Sequence, residues 1–421
     1  MFKFIHAADL HLDSPLLGLA RYEGAPGEAL RAATRRALEN LVHTALEDDV
    51  NFVLIAGDVY DGDWPDHSTG LFFARQMARL RDANIPVYLI AGNHDAQSVM
   101  TKSLQLPDNV HRFSTRKAET KQLEAIGVAI HGQGFATRAV MTDLSAGYPK
   151  AVAGAWNIGL LHTSLTGYEG HDNYAPCTAE GLKKLGYDYW ALGHIHKQEA
   201  VRVFGPAIWF PGNIQGRHIR ETGPKGCLVV TVDDQGEHEI DFRELDVVRW
   251  AEITVDATRC ITLEDGIDDF RESLLKVLET CGDRLLAARV AFTGASAAHG
   301  ALLSQPRRLV NEVRNVANVH GGDLVWIEKV VVRTSAPARE HESFDDGPLG
   351  ELTQVIAYMK SDESSLAELA ALLEPLRGKL PAELVEGDEG LGLDQPARIM
   401  DWLDEAEPLL RAAWQNLERG E

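Results

Sequence analysis

Five short motifs bearing His and Asp each close an apolar run in the first half of the chain. Asp9-Leu10-His11 follows Phe2–Ala7, Gly57-Asp58 follows Phe52–Ala56, and Gly92-Asn93-His94-Asp95 follows Val87–Ala91. His162 ends a run that starts at Ile158, and Gly193-His194-Ile195-His196 follows Tyr189–Leu192. A short apolar run bounded by polar residues reads as a buried strand. A strand that ends on a chelating side chain delivers it to one rim of a sheet. Five such rims brought together would make a site for two metal ions, and few architectures bring five strand ends to one place.

The residue types suit that chemistry. Two divalent ions bridged by one carboxylate hold a hydroxide and a phosphate together, lower the pKa of water and neutralise the attacking and leaving oxygens. Asp, His and Asn are hard or borderline donors suited to Mn, Fe or Zn. In Asp9-x-His11 and His194-x-His196 a spacing of two puts both side chains on one face of a strand, or lets a loop at its end bend both toward one centre. Gly57 and Gly92 precede candidate ligands, where the backbone needs unusual dihedrals or close approach. Each piece alone is weak. A lone D-x-H or H-x-H is usually chance or surface, Asp58 reads equally as a turn residue, and His162 as a satisfied core histidine. The joint order carries the signal.

At 421 residues the chain exceeds what one hydrophobic core usually supports, so two or three domains are expected. Four scattered cysteines with no C-x-x-C pair suit a reducing compartment. No secretory signal pattern precedes the first motif and no apolar run reaches membrane-spanning length, so the expected location is cytoplasmic and no membrane partner is expected. The net charge is −22, and residues 336–421 hold 20 of the 63 acidic but only 7 of the 41 basic side chains. Such a chain does not look like an autonomous nucleic-acid binder, because phosphate affinity comes from clustered Lys and Arg. Either the substrate is small, or cations are concentrated locally, or a partner supplies the grip.

Early apolar runs alternate with helix candidates at Glu28–Glu47 and Ser68–Asp82, and later runs (Val128–His131, Ile208–Phe210, Leu228–Val232, Glu239–Leu245) follow closely on one another. That order suggests a layered α/β domain over 1–245 whose sheet is parallel at first and antiparallel later. Residues 246–335 read as a small α+β capping or DNA-binding domain, with strands at Trp250–Val255, Arg289–Phe292 and Leu324–Val332 and helices at Leu263–Cys281 and Pro306–Val316. Ser335–Gly350 reads as a linker. Residues 336–421 then form a linker and helical segment for partner docking. Leu366, Leu369, Leu372, Leu373 and Leu376 follow helical spacing after Ser361-Asp362, a plausible N-cap, and Ile399, Trp402, Leu403, Leu409, Leu410, Trp414 and Leu417 mark a second helix. A hairpin packed on its own domain is the alternative for this tail.

The order D-x-H, G-D-x-x-D, G-N-H-D, H, G-H-x-H resembles the calcineurin-like metallophosphoesterase superfamily. The resemblance implies a sandwich of two sheets flanked by helices, with Asp9, His11, Asp58 and His196 on one ion. Asp58 would bridge to a second ion completed by Asn93, His162 and His194. It makes His94 the general acid or transition-state stabiliser, not a ligand, and gives Asp61 the task of orienting it. A carboxylate behind an imidazole fixes its tautomer and raises its pKa. In archaeal and eukaryotic break-repair nucleases a histidine stands where this chain has Asp61; here the chain follows the bacterial pattern. The native ion implied is Mn, with Fe, Zn and Mg as alternatives.

The metal motifs do not choose a substrate. The stretches Asp9–Pro15, Gly170–Cys177, Tyr187–His196 and Pro211–Gly226 are similar to SbcD-type and YhaO-type bacterial DNA-repair exonucleases, the YhaO branch above all. The resemblance implies a metal-dependent DNA exonuclease or endonuclease subunit, a homodimer formed through helices such as Ser68–Asp82 and Ser98–Leu106, and a coiled-coil ATPase of the SbcC type docking on the C-terminal helices. Met77 and Leu80 could be core instead. Arg217, His218, Arg220 and Lys225 are candidates to hold DNA phosphates; pairing with Glu221 is the alternative. His171, on a Gly-bearing loop, is a further candidate to line the cleft. The competing functions are a phosphodiesterase or phosphatase for small nucleotides and a catalytically silent scaffold.

Overall fold

Side chains of the first strand alternate between two cores, and that alternation sets the architecture. Phe4 joins Phe52, Leu54, Ile158, Leu160 and Tyr189 in one cluster, while Ile5 joins Val53, Ile55, Leu38, Leu41, Met77 and Leu80 in another. A strand buried on both faces reads as a continuous apolar run, which is why these strands were legible.

The structure is a computed structural model that describes residues 1–14, 25–61, 68–97, 105–165, 174–337, 348–377, 379–380, 391–393 and 395–404, with 406 and 410. Contacts divide the chain into two compact units: Met1–Glu252 with Cys281–Ala288 and Asp323–Glu328, and Ile253–Thr280 with Arg289–Gly322 and Lys329–Glu421.

In chain order the elements begin with β1 (Phe2–Ala7), α1 (Gly27–Glu47), β2 (Phe52–Ile55), α2 (Ser68–Asp82), β3 (Val87–Leu89), α3 (Asn93–Gln97) and β4 (Val110–Arg112). They continue with β5 (Glu119–Leu123), β6 (Val128–Gly132), β7 (Trp156–His162), α4 (Ala179–Lys183), β8 (Tyr189–Gly193), β9 (Glu199–Arg202), β10 (Ala207–Phe210), β11 (Gly226–Val232) and β12 (His238–Glu244). The first sheet runs β12-β11-β1-β2-β3-β4, parallel from β1 to β4 and antiparallel at β11 and β12. The second runs β5-β6-β7-β8-β10-β9, parallel across β6, β7, β8 and β10 and antiparallel at both edges. The fold is therefore two mixed sheets flanked by helices. The two sheets that the resemblance implies are present; what differs is the order read from the element pattern, since parallel pairing resumes in the second sheet, where 133–155 and 163–188 are long enough to carry the chain back to the starting edge. Met77 and Leu80 are fully buried core residues.

One buried polar side chain of this core, His6, is held through both ring nitrogens. His6 lies between Tyr189 Oη at 3.0 Å and the Leu192 carbonyl at 3.0 Å. Burial holds its pKa down to about 3, so it is a neutral core histidine.

The remaining elements are β13 (Val248–Asp256), α5 (Leu263–Cys281), β14 (Leu285–Ala295), α6 (His299–Ser304), α7 (Pro306–Gly321), β15 (Val325–Ser335), α8 (Pro348–Ser361) and α9 (Glu363–Arg377). β13, β14 and β15 pair in that order, and Phe270, Leu274, Leu302, Leu309 and Val313 are buried. Asp362 caps α9 through the Ser365 N–H at 2.9 Å. α8 begins inside the stretch read as linker, with Pro348 at its first position. Residues 396–404 are helical, whereas Leu409, Trp414, Leu417 and Ser98–Leu104 lie outside the described residues. Among the described residues no helix is long and apolar enough to cross a membrane.

Candidate metal centre

The carboxyl ends of β1, β2 and β3 in one sheet and of β7 and β8 in the other carry the five motifs. Asp9, His11 and His196 offer ligand atoms within 4.8 Å of one another; so do His11, Asp58 and His94, and Asp9, Asp58 and His162. Asn93 Oδ1 lies 2.9 Å from His162 Nε2, and the His194 ring sits 5.2 Å from the His162 ring. All seven candidate ligands and His94 are thus in one place, and all seven ligand candidates except the partly exposed His196 are buried.

The backbone is bent to put them there. Asp9, His11, Asp58 and His194 have φ of 51°, 42°, 52° and 102°. Such left-handed conformations cost a non-glycine residue on the order of 1–3 kcal/mol each, and they concentrate where function over-determines the chain. Here the loops are tied together: Asp9 N donates to Gly57 O and His11 N to Asp58 O, both at 3.1 Å. His194 N donates to both oxygens of Asp9, at 3.1 and 3.0 Å. Gly92 is needed for close approach, since a Cβ there would lie 2.2 Å from Asp58 Oδ1.

The donor set fits divalent ions. His162 Nδ1 is 2.8 Å from the Ala56 carbonyl, which only accepts, so Nδ1 carries hydrogen. Its Nε2 then faces Asn93 Oδ1 at 2.9 Å and Asp58 Oδ2 at 3.4 Å, two acceptors that an Nε2 proton satisfies and that a divalent ion in the proton's place would share with the ring. His196 Nδ1 is 2.7 Å from Glu221 Oε1, which turns its Nε2 to His11 Nε2 at 3.1 Å. Two nitrogens on one ion at about 2.0–2.1 Å stand roughly 3 Å apart, so this pair is spaced as ligands of one centre would be. Burial and neighbouring charges perturb the titratable groups of the site. Burial raises Asp9 to about 6, and burial with the Arg217 charge lowers His11 to about 3. Burial opposes charge on His162 as well, yet Asp58 lifts it to about 9.

His94 Nδ1 lies 2.6 Å from Asp61 Oδ1, and the His94 backbone N–H donates to Asp58 Oδ1 at 2.9 Å. Ser14 Oγ donates to Asp61 Oδ2 at 2.5 Å. Burial works against the His94 imidazolium, but the Asp61 hydrogen bond and the Asp58 and Asp61 charges prevail, and its pKa is raised.

Of two carboxylates around this cluster, Asp95 had no role in the sequence reading and Glu221 only that of a pairing partner for the nearby basic residues. Asp95 accepts from Val59 N at 3.2 Å, Tyr60 N at 3.0 Å and Gly92 N at 3.1 Å, clamping the Asp58 loop to the Asn93 loop. Glu221 accepts from His196, from Asn213 Nδ2 at 3.0 Å and from Arg217 N at 2.7 Å. A buried acid that takes backbone N–H groups has no spacing signature; for Asp95 the only available signal was its place beside Asn93 and His94.

The four basic candidates for DNA contact divide. Arg217 faces inward, with NH2 3.0 Å from Glu221 Oε1 and NH1 3.5 Å from Asp61 Oδ2. Lys225 Nζ donates to the His196 carbonyl at 2.9 Å and is buried. His218 and Arg220 are exposed. Glu221 and the His196 carbonyl thus hold two of the four candidates inward, which for Arg217 is the pairing alternative. His171 lies outside the described residues.

Residues 2–198 match the calcineurin-like phosphoesterase family, and residues 250–335 match the family described as metallophosphoesterase YhaO, middle domain. An uncharacterized metallophosphoesterase YhaO of Bacillus subtilis is 39% identical over 61% of this chain and 63% of its own length. The DNA double-strand break repair protein Mre11 of Methanopyrus kandleri is 24% identical over 59% of this chain and 61% of its own length. That of Haloferax volcanii is 24% identical over 77% and 70%. The chain thus spans a little over three fifths of the length of the first two curated relatives. With this geometry and these matches, residues 2–198 are a domain of the calcineurin-like phosphoesterase family, a family of phosphoester hydrolases, and residues 250–335 are similar to the YhaO middle domain.

Proposed function

We propose that this chain is a metal-dependent DNA nuclease that hydrolyses phosphodiester bonds. The observation that carries the reading is the His94–Asp61 pair, 2.6 Å apart, beside a buried cluster of Asp, His and Asn ligands at the rim of two sheets. Asp9, His11, Asp58 and His196 would hold one divalent ion, and Asp58, Asn93, His162 and His194 a second, most suitably Mn given the mixed N/O donors. When bound, such ions supply charge neutralisation for phosphate oxygens and a nucleophile from water at neutral pH.

The chain's own groups do the rest. The Ala56 carbonyl and Glu221 fix the tautomers of His162 and His196, so each Nε2 faces the centre. The His94 N–H holds Asp58 Oδ1 in place. Asp61 aims His94 and favours its imidazolium form, with Nε2 as the nitrogen that would give a proton to the leaving oxygen.

DNA as substrate is supported by the likeness to relatives described as break-repair proteins. It is also supported by the long similar stretches around the metal motifs. The same likeness supports a second protein that shares the DNA grip, because residues 336–421 are too acidic to bind phosphates. The exposed Val355, Tyr358, Leu372 and Leu376 of α8 and α9 would face an ATPase of the SbcC type. The test compares Mn-loaded protein on plasmid, linear duplex and bis-p-nitrophenyl phosphate. Cleavage of DNA is expected; activity on the small ester with none on any DNA would overturn the nuclease reading.

A further inference from the structure

The two halves of the site are joined by a side chain that belongs to neither. Arg217 lies in the loop after β10, with its side chain 14% exposed. On one side, NH2 is 3.0 Å and Nε 3.4 Å from the two oxygens of Glu221, whose Oε1 also takes the His196 Nδ1–H at 2.7 Å. On the other side, NH1 is 3.5 Å from Asp61 Oδ2 and 3.4 Å from Ser14 Oγ, and Asp61 holds His94. Glu221 is 5% exposed and is further fixed by Asn213 Nδ2 and by the Arg217 backbone N–H.

This arrangement uses what only a guanidinium offers. Its planar fork carries five donors at fixed angles and can serve two carboxylates at once, whereas an ammonium is a compact point charge on a flexible stem. Both carboxylates depend on it. Glu221 is buried beside a ring that presents its other nitrogen to His11, and an uncompensated buried carboxylate would draw nearby groups out of place. Asp61 must stay anionic and oriented to aim His94.

Building on the proposed nuclease function, we propose that Arg217, backed by Glu221, is a positioning residue that straps the two halves of the site together. Through Glu221 it holds His196 with Nε2 toward His11, and through Asp61 it backs His94. It acts on the rings and not on the substrate.

The experiment uses the full chain, stripped with a chelator and reloaded. Mn binding is followed by calorimetry, steady-state hydrolysis with bis-p-nitrophenyl phosphate, and folding by thermal melting. The variants are Arg217→Met, Arg217→Lys and Glu221→Gln. Partners behind metal ligands typically change affinity or activity by about 10–100-fold. Arg217→Met is therefore expected to weaken Mn binding and lower kcat by about tenfold or more while KM stays within about twofold. Arg217→Lys is expected to restore neither, because one ammonium cannot reach both carboxylates. If Arg217→Met fails to fold, Glu221→Gln carries the same expectation, since it keeps the shape and loses the charge. Wild-type Mn affinity and kcat in a folded Arg217→Met or Glu221→Gln protein would overturn the strap. So would full rescue by Arg217→Lys. A raised KM with unchanged kcat in Arg217→Met would also overturn it, by making Arg217 a substrate ligand. If the wild type hydrolyses neither this ester nor linear duplex DNA, the nuclease reading fails, and the calorimetry still decides whether Arg217 and Glu221 hold the metal ligands.

Discussion

Replacing Gly92 by Ala adds one methyl group at the most crowded point of the site. A Cβ at this position would lie 2.2 Å from Asp58 Oδ1, 2.7 Å from the Asp58 backbone N and 2.8 Å from its Cγ. Ordinary contact begins at 3.4 Å, so the two loops must part by roughly 1 Å. The atoms such a Cβ would meet are backbone and a held carboxylate rather than the end of a flexible chain. The Asp58 carboxylate is the only one assigned to both ions, and its Oδ1 also takes the His94 N–H. Overpacking of this kind destabilises by about 1–3 kcal/mol, which a chain with two large cores survives. The effect on chemistry is larger, because a displacement of about 1 Å at reacting groups can cost about 100-fold in rate. Gly92→Ala should therefore fold, melt a few degrees lower, and lose at least about 100-fold in hydrolysis, with Mn affinity weakened by about tenfold or more. Circular dichroism, calorimetry with Mn and hydrolysis of a small diester check these in one preparation. A folded Gly92→Ala protein with wild-type Mn affinity and turnover would refute the close-approach argument.

Other consequences follow from buried groups near the site. Asp95→Asn should lower the melting temperature and weaken Mn binding together, because an amide can accept from at most part of the three N–H groups that Asp95 now holds; a lower melting point with unchanged Mn affinity would show that the clamp does not position ligands. His6 contributes to acid lability. Its folded pKa of about 3 lies below the ordinary 6.5, so the unfolded chain binds a proton that the folded chain refuses, and stability falls as pH drops from 6.5 toward 3. In His6→Gln that loss is absent. The stability gap between wild type and variant in urea should shrink by about 2 kcal/mol from pH 7 to pH 5, and a constant gap would mean that His6 does not stay neutral.

What the sequence disclosed follows from how each element is buried. β1, β2 and β7 are apolar on both faces and therefore stand out, and the motifs stand out because they end those runs. α2 was legible to its ends, Ser68 and Asp82, and Met77 and Leu80 are buried there together with Phe73, which the sequence reading had not picked out. β4 and β5 were not. Both are edge strands of half-buried polar residues, Val110-His111-Arg112 and Glu119-Thr120-Lys121-Gln122-Leu123, and sheet pairing rather than composition makes them strands. The parallel order of the second sheet was not legible from the element pattern for a related reason, since among the described residues its crossovers carry only the short α4. Within the site, residues that would bind metal through their own donors are legible as His, Asp and Asn at strand ends. Asp95 and Glu221 act by accepting hydrogen bonds, and Arg217 turns inward only because Glu221 and Asp61 lie across the fold from each other in sequence.

The central claim is that these side chains hold two ions and that His94 serves the reaction without holding either. The most direct test counts ions and turnover in the same samples. Chelator-stripped wild type, Asp58→Ala and His94→Gln are reloaded with Mn, freed of excess, and assayed for bound metal and for cleavage of linear duplex DNA. The account predicts two ions and cleavage for wild type, lost ions and lost cleavage for Asp58→Ala, and two ions with turnover reduced by about 100-fold or more for His94→Gln. Full turnover in His94→Gln, or two retained ions in Asp58→Ala, would contradict it.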